Sequence, residues 1–313
     1  MVRVQETYSE PPADVFFREC VRANEPLVVR SAVKDWRALS WSPEYLRRWD
    51  DETLSVAPLQ VRGPHAFCDK WLEQPSLWRH AEASPSLGVN ARQLLVVSAA
   101  RVHMPVRRFL SLLRPDVSGV SATFYADGAA NLARYFPFLA ADFAPPPLAS
   151  ALELKRADLW IGGRSTSRMH FDNLDNVFTQ LVGQKEFVLA PPHEGEALVR
   201  GRLRKAVRVY EHPGIFSRDR GKVTDETVLN YLSEDRPGTM ETVKVTLLPG
   251  DMLYLPFGWW HEVHGYGDDH KGGMCASVSH FYHPYFCRIG GPTTTELGSM
   301  LINPKYKKLA AGV

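Results

Sequence analysis

The chain has 313 residues, 44% hydrophobic and 23% charged, enough to bury a full core in one large domain or two modest ones. A formal net charge of +2 gives no global attraction to nucleic acid or to an anionic membrane. Met1-Val2-Arg3-Val4-Gln5-Glu6 is too polar for a signal-peptide core, and apolar runs such as residues 94–97 fall far short of a membrane span. Cys20, Cys68, Cys275 and Cys287 form no Cys-x-x-Cys pair, which predicts reduced thiols in a cytosolic or nuclear protein.

Residues 12–23 carry Val15, Phe16, Cys20 and Val21 at helical spacing, and Asn24-Glu25-Pro26 ends that helix. Leu27-Val28-Val29 reads as a buried strand. Ser42-Pro43 opens a short helix with a capping residue followed by proline at the first helical position. Residues 106–113 form an amphipathic helix stopped by Pro115, and residues 122–126 a strand. Pro145-Pro146-Pro147 marks the clearest break, read as a rigid connection within one domain. The expected organisation is an N-terminal α/β segment over residues 1–150, a β-rich core over 151–290 and a C-terminal tail, helical where ordered, over 291–313.

From Asp158 the pattern changes to short strands at 159–161, 168–171, 177–182 and 186–189, punctuated by Gly162-Gly163 and Gly183. Val243-Lys244-Val245-Thr246-Leu247 alternates with period two. Pro249-Gly250-Asp251 then turns the chain into a strand at 252–255, and a last strand runs near 276–282. Many short strands with tight turns predict a mainly β barrel or sandwich with flanking helices. The irregular stretch at 193–241 reads as an insertion, a functional lid or a partly disordered loop. It holds Arg200, Arg202, Arg204, Lys205 and Arg208, a charge run that reads first as a solvated face and second as a contact for an acidic partner or RNA.

His170-Phe171-Asp172 lies in a strand-like segment, where residues two apart share a face. Two imidazoles and one carboxylate on one face of an octahedron leave three positions open and suit iron(II). With 11 histidines and 35 acids in the chain, about one His-x-(Asp/Glu) match arises by chance, and His80-Ala81-Glu82 is another. Strand context and a histidine some ninety residues later raise His170 and Asp172 above it. That third ligand is His261, behind Pro-Gly-Asp and a Trp pair; His264 is its rival, but residues three apart on a strand face opposite ways. His261-Glu262-Val263-His264 lacks the offset of a helical zinc peptidase motif, and no cysteine pair supplies a structural zinc.

Met169-His170-Phe171-Asp172, Gln184-Lys185-Glu186-Phe187-Val188-Leu189-Ala190-Pro191-Pro192 and the run from Leu247 to His261 together resemble the Jumonji-C (JmjC) oxygenases of the cupin superfamily. The N-terminal part, with Glu25-Pro26-Leu27-Val28-Val29-Arg30, Trp36, Trp41-Ser42 and Met104-Pro105-Val106-Arg107-Arg108-Phe109, looks like the small JmjC-only hydroxylases. The resemblance implies a double-stranded β-helix, iron(II) on His170, Asp172 and His261, and 2-oxoglutarate held by Lys185 with O2 as cosubstrate. It also implies cosubstrate contacts from Ser167, Asn176 and Tyr125, and from His280, which replaces an asparagine usual on the last strand. The reaction implied is hydroxylation of a lysyl side chain of a protein, with release of succinate and CO2. Histone demethylation, modified-tRNA hydroxylation and a non-catalytic cupin scaffold remain as alternatives. Relatives of this kind often dimerise through terminal segments, which points to residues 293–309 for a homodimer contact.

Overall fold

The alternating segments after Leu154 divide between two sheets. Leu154–Gly162, Asp175–Val182, Met252–Leu255 and Cys275–Tyr282 lie in one, and Ser165–Phe171, Gln184–Ala190, Val243–Leu247 and Trp260–Tyr266 in the other. Within each set every pairing is antiparallel. This is the computed structural model of the chain, and it describes residues 2–62, 65–73, 95–114, 124–127, 138–196, 203–211, 215–228, 230–232, 238–288 and 300–307. The sheets meet across Phe178, Leu253 and Leu255 from the first and Phe187, Leu189, Val245 and Leu247 from the second. The Phe178 and Phe187 rings stand edge to face at 5.0 Å. The architecture is a mainly β jelly-roll with helices on its outside.

The N-terminal part extends both sheets. Leu27–Val29 and Gln5–Thr7 add to one edge of the first sheet, and Phe124–Asp127, Thr53–Pro58 and Val102–Pro105 to the other, making nine strands among the described residues. His65–Cys68 and Gln60–Arg62 extend the second sheet to six. Every residue of Asp175–Val182 and of Cys275–Tyr282 is buried, because the outer face of the first sheet is covered too. Trp41, Phe109, Leu112 and Leu113 pack on Leu181, Ala276 and Val278, while Phe16, Phe17 and Val21 pack with Val177, Tyr254 and Tyr282. Full burial of each such side chain contributes roughly 1.5–3 kcal/mol.

The Pro249-Gly250-Asp251 turn fastens this covering layer to the sheet. Gly250 has φ +93°, and a Cβ there would sit 2.9 Å from the Val33 carbonyl, so only glycine fits. The buried Asp251 carboxylate accepts from the Ser31 and Leu248 amides at 2.9 and 3.1 Å and from the Arg30 guanidinium at 2.7 Å. Arg30 also donates to the Thr246 carbonyl at 2.7 Å.

Several expected elements differ in extent. Residues 12–23 fold as an α-helical turn, Ala13–Phe16, running into a π-helical turn, Phe17–Val21. The second short helix is Pro43–Leu46, with the Ser42 hydroxyl accepting from the Tyr45 amide as a cap should. The third is only Val106–Leu110. The 193–241 insertion is not an irregular loop: Leu203–Glu211 pairs antiparallel with Ile215–Val228 and parallel with Leu95–Ala99, which in turn pairs with Lys70–Glu73. Charged residues interrupt the apolar alternation there, which hides the strand. Arg208 belongs to no solvated face, since its guanidinium is buried against the Glu73 carboxylate at 3.0 and 3.2 Å. Arg200, Arg202 and His80-Ala81-Glu82 lie outside the described residues. The described part of the tail is a strand, Met300–Ile302, paired with Phe286–Arg288, and a 3-10 turn, Pro304–Tyr306, rather than an α-helix. Cross-strand pairing and Pro304 decide against helix there. No helix among the described residues is long and apolar enough to cross a membrane.

Asp251→Ala removes one acceptor from three donors and is expected to cost about 2 kcal/mol. Urea unfolding followed by tryptophan fluorescence should show a lower midpoint at unchanged slope.

Candidate metal centre

Ser165–Phe171 and Trp260–Tyr266 are antiparallel neighbours, with His170 directly opposite His261 and Phe171 opposite Trp260. Directly opposed residues share a face, so the two imidazoles meet with ring centroids 4.2 Å apart. Asp172 follows at the strand end, its backbone carbonyl held by the Gly258 amide at 3.2 Å. Its carboxylate oxygens lie 4.0 Å from His170 Nε2 and 3.7 Å from His261 Nε2, and the donor atoms of the three all fall within 4.8 Å of one another.

Second contacts fix which nitrogen faces the site. His170 Nδ1 lies 2.6 Å from the Arg168 carbonyl and His261 Nδ1 lies 3.0 Å from the Trp259 carbonyl. A carbonyl only accepts, so each Nδ1 carries a proton and donates, and Nε2 is the nitrogen turned towards Asp172. Burial, reinforced by the neighbouring His261, pulls the His170 imidazole down to about 4, so it is neutral at physiological pH. His264, the rival, instead sits with Nε2 2.9 Å from a Glu262 carboxylate oxygen and Nδ1 3.3 Å from the Thr166 hydroxyl.

A cavity of about 340 Å³ opens on this face, lined by the triad together with Lys185, Asn176, Ser167 and Ser279. Lys185 is buried, its ammonium 5.0 Å from the Phe178 ring and 5.9 Å from Trp160. Desolvation pulls its pKa down to about 8. Asn176 donates to the Ser279 hydroxyl at 3.3 Å, as Trp160 does at 3.0 Å, and the Asn176 side-chain oxygen is buried without a partner. Ser167 reaches the cavity because of a register shift between Ser167 and His170, which lets residues three apart share a face. Its hydroxyl donates to the Asp69 carboxylate at 3.2 Å. Tyr125 lies on the Phe124–Asp127 strand opposite Gly162; its side chain is outside the described residues.

His280 does not enter the cavity, which corrects its expected place beside the cosubstrate. On Cys275–Tyr282 the residues lining the cavity are Ser279 and Phe281. His280 faces the other way, edge-on to Phe143 and Trp36 at 6.0 and 6.3 Å, with its Nδ1 unpartnered. The resemblance placed it one residue out, and on a strand one residue exchanges the faces. Burial pulls its imidazole down to about 4, so its charge does not change near neutrality.

Sequence reasoning missed Asp69, Lys70, Asn230, Tyr231 and Ser279, all of which line the cavity. Lys70 lies 3.1 Å from the Asp69 carboxylate, and although burial opposes it, Asp69 and Tyr231 raise the ammonium well above its ordinary pKa. The third sheet adds Val96, Ser98 and Lys205 to the same lining. Apart from Ser279, these residues stand in segments with no motif, so only long-range strand pairing reveals them. Ser279 was legible from strand parity.

A jelly-roll with two histidines and an aspartate on its inner wall fits the JmjC-type oxygenase domain of the cupin superfamily. The chain belongs to that group, matching the cupin-like domain family over residues 12–287. It is 24% identical over 294 residues to the human "Bifunctional peptidase and (3S)-lysyl hydroxylase JMJD7", covering 87% of this chain and 82% of that protein. It is 31% identical over 247 residues to the "tRNA wybutosine-synthesizing protein 4" of Gibberella zeae, covering 78% of this chain but 21% of that protein. It is 23% identical over 272 residues to the "Jumonji C domain-containing protein 5" of Drosophila melanogaster, covering 81% of this chain and 55% of that one. JmjC homologues are 2-oxoglutarate-dependent oxygenases that use iron(II). The donor set fits that metal: two imidazoles and a carboxylate converge, with each imidazole's Nδ1 already satisfied by a backbone carbonyl.

Asp172→Ala and His261→Ala should each weaken iron(II) or cobalt(II) binding by more than the roughly 10- to 100-fold that loss of an outer hydrogen-bond partner costs. His264→Ala should leave binding unchanged by calorimetry.

Proposed function

We propose that the protein is an iron(II)- and 2-oxoglutarate-dependent hydroxylase acting on a side chain of a protein substrate, with a lysyl residue as the target. The observation that carries the oxygenase part is the convergence of His170, Asp172 and His261 on the wall of a cavity that also holds the buried Lys185. The lysyl part rests on likeness to the human relative. Bound iron(II) with 2-oxoglutarate and O2 supplies the oxidising equivalent: one oxygen atom enters a substrate C–H bond and the other leaves in succinate, with CO2 released.

The chain's own residues hold and orient. His170, Asp172 and His261 would hold the metal, and the cavity beside them would admit cosubstrate and O2. The Lys185 ammonium, in an apolar setting between Phe178 and Trp160, would pair with the distal carboxylate of 2-oxoglutarate, where a charge-assisted contact is strong. Asn176 and Ser279 offer that carboxylate polar neighbours. The third sheet bounds the cavity with Val96 and Ser98 and limits how much of a substrate can approach.

A second reading has its own support in the likeness to the fungal tRNA-modifying proteins. Single-base recognition relies on stacking against an aromatic face. Among the described residues, the aromatic rings lining this cavity already have neighbours in its wall: Phe178 lies against Phe187 and Lys185, Phe281 against Arg156, Tyr231 against His170, and Trp160 donates to Ser279. Rings already engaged support a protein side chain over a base.

Anaerobic addition of iron(II) and 2-oxoglutarate should give a weak visible charge-transfer band that Asp172→Ala abolishes; a wild-type protein without the band sinks the oxygenase reading. Mass spectrometry of turnover mixtures should then show a gain of one oxygen on a lysyl peptide. Loss of a methyl from methyl-lysine would make the protein a demethylase instead.

The protonated form of Lys185 is the one that binds the dianion, and in the free protein it is lost as pH rises through about 8. Affinity for 2-oxoglutarate should therefore be about tenfold weaker at pH 9 than at pH 7 by calorimetry. In Lys185→Met it should be weak at both.

A further inference from the structure

The Ser165–Phe171 strand that carries His170 has one edge paired with Trp260–Tyr266. Its other edge is paired with His65–Cys68 at Thr166. At His170 and Phe171 that second edge is closed by the end of the insertion. The Phe171 amide donates to the Asn230 carbonyl at 3.1 Å, the Asn230 side-chain amide donates back to the Phe171 carbonyl at 2.8 Å, and Tyr231 bridges to His170.

Tyr231 also covers the ligand ring itself. Its ring lies parallel to the His170 imidazole, with a 7° interplanar angle and a 5.0 Å centroid separation. Tyr231 is in turn fixed from behind by Val96 and Leu203 of the third sheet, and the Lys70 ammonium stands 5.6 Å from its ring centre. The His170 imidazole is thus constrained at Nδ1 by the Arg168 carbonyl and on one face by Tyr231. An imidazole free to turn about χ2 would lose orientational freedom on binding a metal; one already clamped does not.

We infer that Asn230 and Tyr231 are positioning residues for the metal, through which the insertion pre-orients His170 and raises metal affinity. The inference rests on the metal-centre reading above and adds to it a part of the chain that contributes no ligand and belongs to none of its motifs. The stacking surface, rather than the phenol hydroxyl, carries the effect, because the parallel ring contact is what limits rotation.

Cobalt(II) titration of the full-length protein, followed by calorimetry and by the visible d–d spectrum, tests this without turnover. Tyr231→Leu should bind about 10- to 100-fold more weakly than wild type, with a changed band shape. Tyr231→Phe keeps the ring and should stay within about threefold of wild type, with an unchanged band. Asn230→Ala, which keeps the backbone bond to Phe171, should fall between them. Thermal unfolding of the metal-free forms identifies any variant that has lost its fold; if Tyr231→Leu has, Asn230→Ala decides. Wild-type affinity and spectrum in Tyr231→Leu, or in Asn230→Ala where that variant decides, overturns the inference. So does a Phe variant that falls as far as the Leu variant. A wild-type protein that binds no cobalt(II) or iron(II) overturns the metal reading itself, a distinct result.

Discussion

The register that sets His170 opposite His261 is the constraint on which the site depends. A slip of one residue would send either imidazole to the far side of its sheet. What holds the register lies on that far side. Met169, Phe171 and Trp260 alternate with the ligands and pack with Val188, Ala190, Leu232 and Met240, and the Phe171 and Trp260 rings meet edge to face at 5.0 Å. Apolar burial outside therefore fixes the geometry of polar groups inside. The register shift between Ser167 and His170 then adds a hydroxyl to the inner face that regular pleating would have turned away.

The remaining architecture serves the same register at longer range. The first sheet gives the second an apolar partner, and the N-terminal helices bury the first sheet's back. Asp251 ties that outer layer to the turn before Met252–Leu255. Away from the cavity, the buried Arg208 is matched: it forks onto Glu73, which also accepts from the Trp71 indole at 2.8 Å. In the cavity, the Asn176 side-chain oxygen is buried without a partner.

What could be read from the residues follows from how local each signal is. His170-Phe171-Asp172 and the Pro249-Gly250-Asp251 turn are short-range features, since strand parity and a positive φ act within a few residues. The strands at 243–247 and 252–255 were legible for the same reason. The insertion was not, because Leu203–Glu211 is stabilised by a parallel partner, Leu95–Ala99, and by a buried ion pair, neither of which leaves a local pattern. His280 was misplaced although parity was available, because the family likeness was followed one residue out of step. Tyr231 carries no motif, and what marks it is the ligand ring it lies against.

The third sheet joins Lys70–Glu73 and Leu95–Ala99 to Leu203–Glu211, and its Arg208–Glu73 pair links positions 135 residues apart along the chain. Closing so long a loop costs chain entropy before any contact rewards it, and non-local parallel pairing is slow to form. The wall that encloses the cavity is thus assembled from segments on both sides of the first jelly-roll strands, and no single stretch of chain can close it alone.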